Sequence, residues 1–282
     1  MLSNDQYELL DFGAGRKLER LAGVTVDRPC PAAEDQQPRN KQWQADLVFR
    51  RREGTDGAWS GSSPELWQLA ADGFQLQLRC TPFGHVGVFP EQADNWQWIQ
   101  RQVRRAKRPL RVLNLFAYTG GSTLAAAAAG AEVTHVDAAK NIVGWARRNA
   151  EQSQLAEAPI RWLHEDAVKF VRRELKRGRQ YDAVVLDPPS YGHGAGGEAW
   201  RITRDLPPLL EACGQLTRES RAFVLLSCHS SGFGPAELEA LLADAMFGSC
   251  QAGARATPLR LKDAQGRSLP AGCAARWPGT EL

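Results

Sequence analysis

Val112-Leu113-Asn114-Leu115-Phe116-Ala117-Tyr118-Thr119-Gly120-Gly121-Ser122 is an apolar run that ends in a glycine doublet and leads into the alanine-rich residues 123–130. It reads as a strand, a tight turn and a helix start. A helix that begins at a glycine turn points its free N–H groups and the positive end of its dipole at whatever lies above the strand, which suits an anionic or polar ligand. Glycine at 120 and 121 leaves room for that ligand, because a Cβ there would block its approach. Some twenty residues on, Glu132-Val133-Thr134-His135-Val136 reads as a second strand ending in Asp137. That is about the distance at which a nucleotide-binding βαβ unit places the carboxylate that holds two ribose hydroxyls.

The turn also selects among nucleotides. A pyrophosphate needs a G-x-G-x-x-G loop, whereas Phe116 and Tyr118 fill the first glycine positions here and their rings would clash with a dinucleotide. A ligand with an adenosine and no phosphates, such as S-adenosylmethionine (SAM), needs only one close backbone approach, near Gly120. A Gly-Gly turn inside a plain α/β core stays open at this point.

The 282 residues carry a formal charge of +3, which is compatible with RNA without requiring it. The six cysteines, Cys30, Cys80, Cys213, Cys228, Cys250 and Cys273, never approach C-x-x-C spacing, so no zinc site, other metal site or disulfide framework is expected. Met1-Leu2-Ser3-Asn4 does not open a signal peptide, and no apolar run reaches the roughly 18 residues of a membrane span. A soluble, cytoplasmic protein is expected, with no membrane partner.

Taken in order, residues 7–12, 16–20 and 24–26 read as short antiparallel strands around glycine turns, 29–38 as a loop, and 45–49 and 74–78 as further strands. Residues 1–88 are therefore expected to form a small, mostly antiparallel β domain, and 89–282 a larger α/β domain. Trp96, Ile99 and Val103 recur at helical spacing. The cations that follow, from Arg101 to Arg111, could meet RNA phosphates but equally suit a solvated helix face. Beyond residue 112, strands and helices alternate to about seven strands, a doubly wound sheet. Its helix 206–216 is expected to start just ahead of Pro207 and Pro208.

In such sheets ligands gather at the carboxyl ends of the strands, and five polar positions fall there: the 114–121 turn, Asp137, Asp166, Asp187 and Cys228. Asp137 and Asp166 are also good helix N-caps. In Asp187-Pro188-Pro189-Ser190-Tyr191 two prolines fix the backbone and remove its N–H groups, so the carboxylate and carbonyls can accept hydrogen bonds from an amino group, and Tyr191 can stack on a planar base. The following glycine-rich residues 192–197 read as a lid or substrate loop. Cys228 separates two chemistries. C5 of cytosine takes a methyl group only after a thiolate adds at C6, whereas methylation of an amino nitrogen needs no cysteine. Cys228 is equally suited to be a small core residue, and its neighbour His229 is expected to point away from it.

Together Asn114-Leu115-Phe116-Ala117-Tyr118-Thr119-Gly120-Gly121, Asp187-Pro188-Pro189-Ser190-Tyr191 and Ser227-Cys228-His229-Ser230 resemble the class I SAM-dependent methyltransferases related to the bacterial 23S ribosomal RNA cytosine-C5 methyltransferases. Gly87-Val88-Phe89-Pro90-Glu91-Gln92 is similar to the segment that lies over the cofactor's methionine in that family. The resemblance covers about residues 85–230, and the N-terminal part looks like a short branch without a PUA domain. It implies a Rossmann-like seven-stranded sheet and SAM as cofactor. The cofactor contacts it implies are Phe89, Gln92, Asn114, Phe116, Tyr118, Thr119, Gly120 and Gly121, with Asp137 on the ribose, Asp166 on the adenine amino group and Asp187 beside the methyl donor. It further implies Pro188, Pro189 and Tyr191 on the substrate, Cys228 as nucleophile and ribosomal RNA as partner. The family usually has lysine and an aromatic after the prolines and arginine after the glutamine, where this chain has Ser190, Tyr191 and Ala93.

The leading expectation is a SAM-dependent methyltransferase acting on a cytosine C5 of ribosomal RNA through Cys228. A methyltransferase acting on an adenine or glutamine amino group, an NAD-dependent oxidoreductase and a SAM-binding module without catalysis are the alternatives.

Overall fold

Leu9, Leu21, Val24 and Val26 alternate with neighbours that face the other way, and the period of two puts them on one face of three antiparallel strands, β1 (Tyr7–Gly13), β2 (Arg16–Leu21) and β3 (Val24–Pro29); Phe12 joins them across a bulge between Leu9 and Asp11, and Leu18 lies on the other face, opposite Asp11. In the computed structural model, which describes residues 2–51, 56–193, 199–248 and 253–279, β4 (Leu47–Arg51) joins β3 in parallel and β5 (Gly57–Gly61) closes a five-stranded sheet. A hairpin of β6 (Gln68–Ala71) and β7 (Phe74–Gln77) follows. Backbone contacts group Met1–Asp94 and Arg260–Ala271 in one compact unit, and Asn95–Leu259 with Gly272–Leu282 in a second.

Inside the first unit Glu19 and Arg28 are both buried, with Arg28 Nε 2.9 Å and Lys17 Nζ 2.7 Å from Glu19 Oε2. Burial alone would raise the Glu19 carboxyl, but the two cations outweigh it and hold it at about 2. Removing Arg28 alone would leave Lys17 as the partner of that charge.

Helix α1 (Ala93–Arg105) leads into the second unit. There β8 (Arg111–Leu115), β9 (Glu132–Asp137), β10 (Ile160–His164), β11 (Ala183–Leu186) and β14 (Phe223–Cys228) run parallel. Between β11 and β14 stands a small hairpin of β12 (Tyr191–His193) and β13 (Ala199–Arg201). With β15 (Arg255–Lys262) and β16 (Ser268–Trp277) the sheet order is β10-β9-β8-β11-β14-β16-β15, and β16 lies antiparallel to β14. This is the expected α/β, Rossmann-like seven-stranded sheet with an antiparallel β region ahead of it. No helix among the described residues is long and apolar enough to cross a membrane.

The crossover helices are α2 (Gly121–Ala128), α3 (Lys140–Gln152), α4 (Ala167–Lys176), α5 (Ile202–Leu216) and α6 (Pro235–Leu241), the last continued by one wide helical turn, Leu242–Phe247. In α2 the alanines let the helix bury Ala125, Ala126 and Ala127. Helix α5 starts a turn earlier than the prolines suggest and carries Pro207 and Pro208 inside it. Its first turn is held by Asp205, whose carboxylate accepts from the Arg201 N–H at 2.7 Å, and Leu206, Leu209, Leu210 and Cys213 are buried. That burial outweighs the backbone hydrogen bonds the prolines cannot make. Of the exposed cations after α1, Arg108 is tied to Asp182 at 2.9 Å, and the same carboxylate accepts from the Arg111 N–H and the Ser220 hydroxyl.

Candidate active site

Strand β8 lies between β9 and β11, so the carboxyl ends of these strands bring the loop after β8, Asp137 and Asp187 to one edge of the sheet. Phe116 (φ 56°), Tyr118 (φ 49°) and Gly120 (φ 93°) all take the left-handed conformation. Two non-glycine residues thus hold a backbone shape that a nucleotide loop usually assigns to glycine, at about 1–3 kcal/mol each. The surroundings that hold it are visible. Ala117 N–H donates to Val136 O (3.1 Å), Tyr118 N–H to Asp137 Oδ2 (2.9 Å), Asn149 Nδ2 to Thr119 O (2.9 Å), and the Phe116 ring packs on Trp200 at 5.0 Å.

The glycines serve two separate needs. Gly120 takes a positive φ, and a Cβ there would stand 3.2 Å from the Ala146 Cβ. A Cβ on Gly121 would stand 2.8 Å from the Trp96 ring, so this glycine is required by packing on α1.

Asn114 is buried under the loop, and its amide donates to Thr123 Oγ1 (2.9 Å), which in turn meets His135 Nδ1 (2.9 Å). Asn114 and His135 face each other in register across β8 and β9. The chain of three ties strand, helix and neighbouring strand together. Burial drives the His135 pKa down to about 3, so the ring is neutral. Sequence reasoning missed this chain, although one polar residue in each of two buried strands was its signal.

Asp137 ends β9 and accepts from Tyr118 N–H on one oxygen and Ala139 N–H on the other, both at 2.9 Å. Burial pushes its carboxyl up, against these two donors. Each oxygen keeps acceptor capacity for a hydroxyl. Asp166 follows β10 and caps α4, its Oδ1 accepting from Lys169 N–H at 2.9 Å. Phe89 and Gln92 lie in the first unit, in the turn before α1. Phe89 precedes the short helical turn Pro90–Gln92, its ring edge 5.5 Å from the His85 ring, and Gln92 is buried.

Asp187 follows β11, and its Oδ1 lies 3.4 Å from His229 Nε2. Two glycine-controlled details set this pair. The other ring nitrogen of His229 would stand 2.9 Å from a Cβ on Gly272, and the Cys228 carbonyl oxygen 2.5 Å from it, while Gly272 itself has φ 97°. Ser190 Oγ and Ser230 Oγ are 2.6 Å apart and link the two loops. Pro188 is buried, the Pro189 carbonyl accepts from Trp200 Nε1 (2.6 Å), and Tyr191 stands exposed. Of the expected lid, residues 194–197 lie outside the described residues.

Cys228 ends β14, directly opposite Cys273 of β16, and is fully buried. Burial pushes its thiol pKa up and the Asp187 charge adds to this, while hydrogen bonds with Ser230 work toward the thiolate.

A profile of the S-adenosylmethionine-dependent methyltransferases matches residues 16–222, well over half of the chain. The chain belongs to this family. A SAM-dependent methyltransferase from Agrobacterium tumefaciens superposes with a TM-score of 0.90 at 36% identity, covering 98% of this chain and 91% of that one. Ribosomal RNA large subunit methyltransferase I of Salmonella newport (strain SL254) is 30% identical over 152 residues, which is 52% of this chain and 37% of its own length. The protein of that name from Escherichia coli (strain SMS-3-5 / SECEC) is 28% identical over 207 residues, 71% of this chain and 50% of its own. The chain thus spans half or less of the length of these curated relatives. SAM is the methyl donor of the SAM-dependent methyltransferases, and the site fits it: carboxylates end or follow the two strands beside β8, matching a ligand with a ribose diol and a cationic sulfonium.

Proposed function

We propose that this methyltransferase modifies C5 of a cytosine in ribosomal RNA, with Cys228 as nucleophile. The observation that carries the reading is the Asp187–His229 pair at 3.4 Å, set one residue from Cys228. The relatives named for large-subunit ribosomal RNA support RNA as substrate. In this reading the 114–121 loop surrounds SAM, Asp137 accepts from its ribose and Asp166 from its adenine amino group.

When bound, SAM supplies an electrophilic methyl group. The protein's part begins with Cys228, whose thiolate bonds to C6 and moves the electron pair of the C5–C6 double bond onto C5, making it nucleophilic. Burial keeps the resting sulfur a thiol; the adjacent Asp187 carboxylate relays its proton to N3 of the cytosine as the C6–S bond forms, the Ser230 hydrogen bonds favour the thiolate that attacks, and the sulfur recovers a proton after elimination. After C5 is methylated, His229 takes the C5 proton, the double bond re-forms and the C6–S bond breaks, returning its electrons to Cys228. Asp187 orients the ring and stabilises its charged form. Tyr191 stacks on the base.

A second reading rests on the full burial of Cys228. Asp187 and the Pro188 carbonyl would then accept from an amino group of adenine or glutamine, and Cys228 would only pack. RNA containing 5-fluorocytidine separates the two, because fluorine cannot leave as a proton does. Under the leading reading the wild type forms an RNA–protein adduct that survives denaturing electrophoresis and Cys228→Ala forms none. Methyl transfer to ordinary RNA with no adduct on the fluorinated RNA would favour the second reading.

A further inference from the structure

The first unit contains a cavity of about 700 Å³ that none of the chemistry above uses. Its apolar wall is Leu10, Leu18 and the half-buried Trp43 ring, and its polar wall is the side-chain amides of Asn40, Gln42 and Gln44 with the Arg39 guanidinium. The size is ordinary for a small-ligand site, about 300–1,000 Å³.

Asp11 builds this cavity. Its carboxylate accepts from the N–H groups of Phe12 (2.8 Å), Arg39 (3.3 Å) and Asn40 (3.1 Å), from Trp43 Nε1 (2.9 Å) and from Arg267. Five donors meet this one carboxylate, and three of them fix residues 39–43 against β1. They also consume the acceptor capacity of Asp11, so the charge the cavity can still offer a ligand is the cation of Arg39. Arg39 spends Nη2 on Leu10 O (3.0 Å) and Asp263 Oδ2 (3.1 Å), and its Nε lies 3.8 Å from Asp11 Oδ1, so a ligand meets the remaining N–H groups of a guanidinium that has five in all.

These walls select a ligand. An indole held by its ring nitrogen offers a rigid stacking surface for a flat ring. Three amides that both donate and accept match the mixed donor and acceptor edge of a nucleobase. A guanidinium beside them suits a phosphate and disfavours a neutral sugar or an uncharged peptide.

We propose that this cavity takes one unpaired nucleotide of the RNA substrate, base on Trp43 and phosphate on Arg39, a claim that rests on the ribosomal-RNA reading above. It makes the first unit a substrate-capturing element.

The test is fluorescence anisotropy of the full chain with a fluorescein-labelled single-stranded oligoribonucleotide of mixed sequence, with SAM affinity measured alongside by calorimetry. Trp43→Ala is expected to weaken the oligonucleotide about tenfold, in line with one lost base stack. Trp43→Phe keeps a stacking face but loses the bond to Asp11, and is expected to retain most of the affinity. Gln44→Ala, at an exposed position, is expected to weaken binding in the same direction, and SAM affinity stays unchanged in all three. Equal binding by wild type and Trp43→Ala, or equal losses in the Ala and Phe variants, would overturn the proposal. Binding of cytidine monophosphate that Trp43→Ala abolishes, with no displacement of the oligonucleotide and no change in its affinity, would assign the cavity to a free nucleotide and overturn RNA capture. Wild type that binds SAM but no oligonucleotide would remove the RNA reading itself and this proposal with it.

Discussion

His229 Nε2 stands 3.4 Å from Asp187 Oδ1, although the two residues follow different strands and His229 adjoins a fully buried cysteine. The Cys228 sulfur feels the same Asp187 charge and hydrogen-bonds with Ser230, so thiol and imidazole adjoin one carboxylate. If His229 is the base, His229→Gln should lower turnover on the order of 10²-fold with SAM affinity unchanged. Because the C5 proton then has no acceptor, a covalent RNA–Cys228 adduct should build up on ordinary RNA. Loss of turnover without that adduct would make His229 a support for the loop only.

Gly272 controls the same pair from the opposite strand. Gly272→Ala would force a Cβ to within 2.5 Å of the Cys228 carbonyl oxygen and 2.9 Å of His229 Nδ1, at a φ of 97°. The expected cost is about 1–3 kcal/mol of stability, together with a loss of turnover larger than the loss of SAM binding. Denaturant unfolding and calorimetry measure the two.

Asp137 closes the loop after β8 as well as facing the edge where a ribose would lie. Asp137→Ala removes both acceptors for Tyr118 and Ala139, and SAM affinity should fall roughly 10- to 100-fold, the worth of one or two charged hydrogen bonds. An unchanged dissociation constant would exclude Asp137 from the cofactor site.

The Asn114–Thr123–His135 chain gives the second unit an acid-sensitive core. The His135 pKa lies at about 3 when folded and near the ordinary imidazole value of 6.5 when unfolded, so the unfolded chain binds the proton more readily between those values. The stability this buried neutral ring carries is fully present above about pH 6.5 and is lost as the pH falls toward 3, by up to about 1.4 kcal/mol per pH unit. His135→Asn should cost stability at neutral pH yet flatten the decline between about pH 6 and pH 4. Thermal melts across that range would show it, and an unchanged slope would contradict it.

Much of this was legible before any coordinates. The period of two in residues 7–29 and the alternation of apolar strands with amphipathic helices after residue 112 determined the sheet, because each pattern buries only one way. The run from Asn114 to Gly121 marked the loop, but not that Phe116 and Tyr118 themselves adopt left-handed φ, since that strain is held by Val136, Asp137 and Trp200 from elsewhere in the chain. Gly121 answers to Trp96, a contact invisible along the sequence. His229 was passed over because its orientation depends on Gly272 in an antiparallel strand some forty residues away. The association of Arg260–Ala271 with the first unit has no local signal at all: Arg267 meets Asp11, more than two hundred residues earlier.

The most direct test of the central claim is methyl transfer from labelled SAM to ribosomal RNA from cells lacking this gene, by wild type and by Cys228→Ala, followed by digestion to nucleosides. The account predicts label in 5-methylcytidine with the wild type and none with Cys228→Ala, while both bind SAM equally. Label in another nucleoside, or in 5-methylcytidine with both proteins, would contradict it.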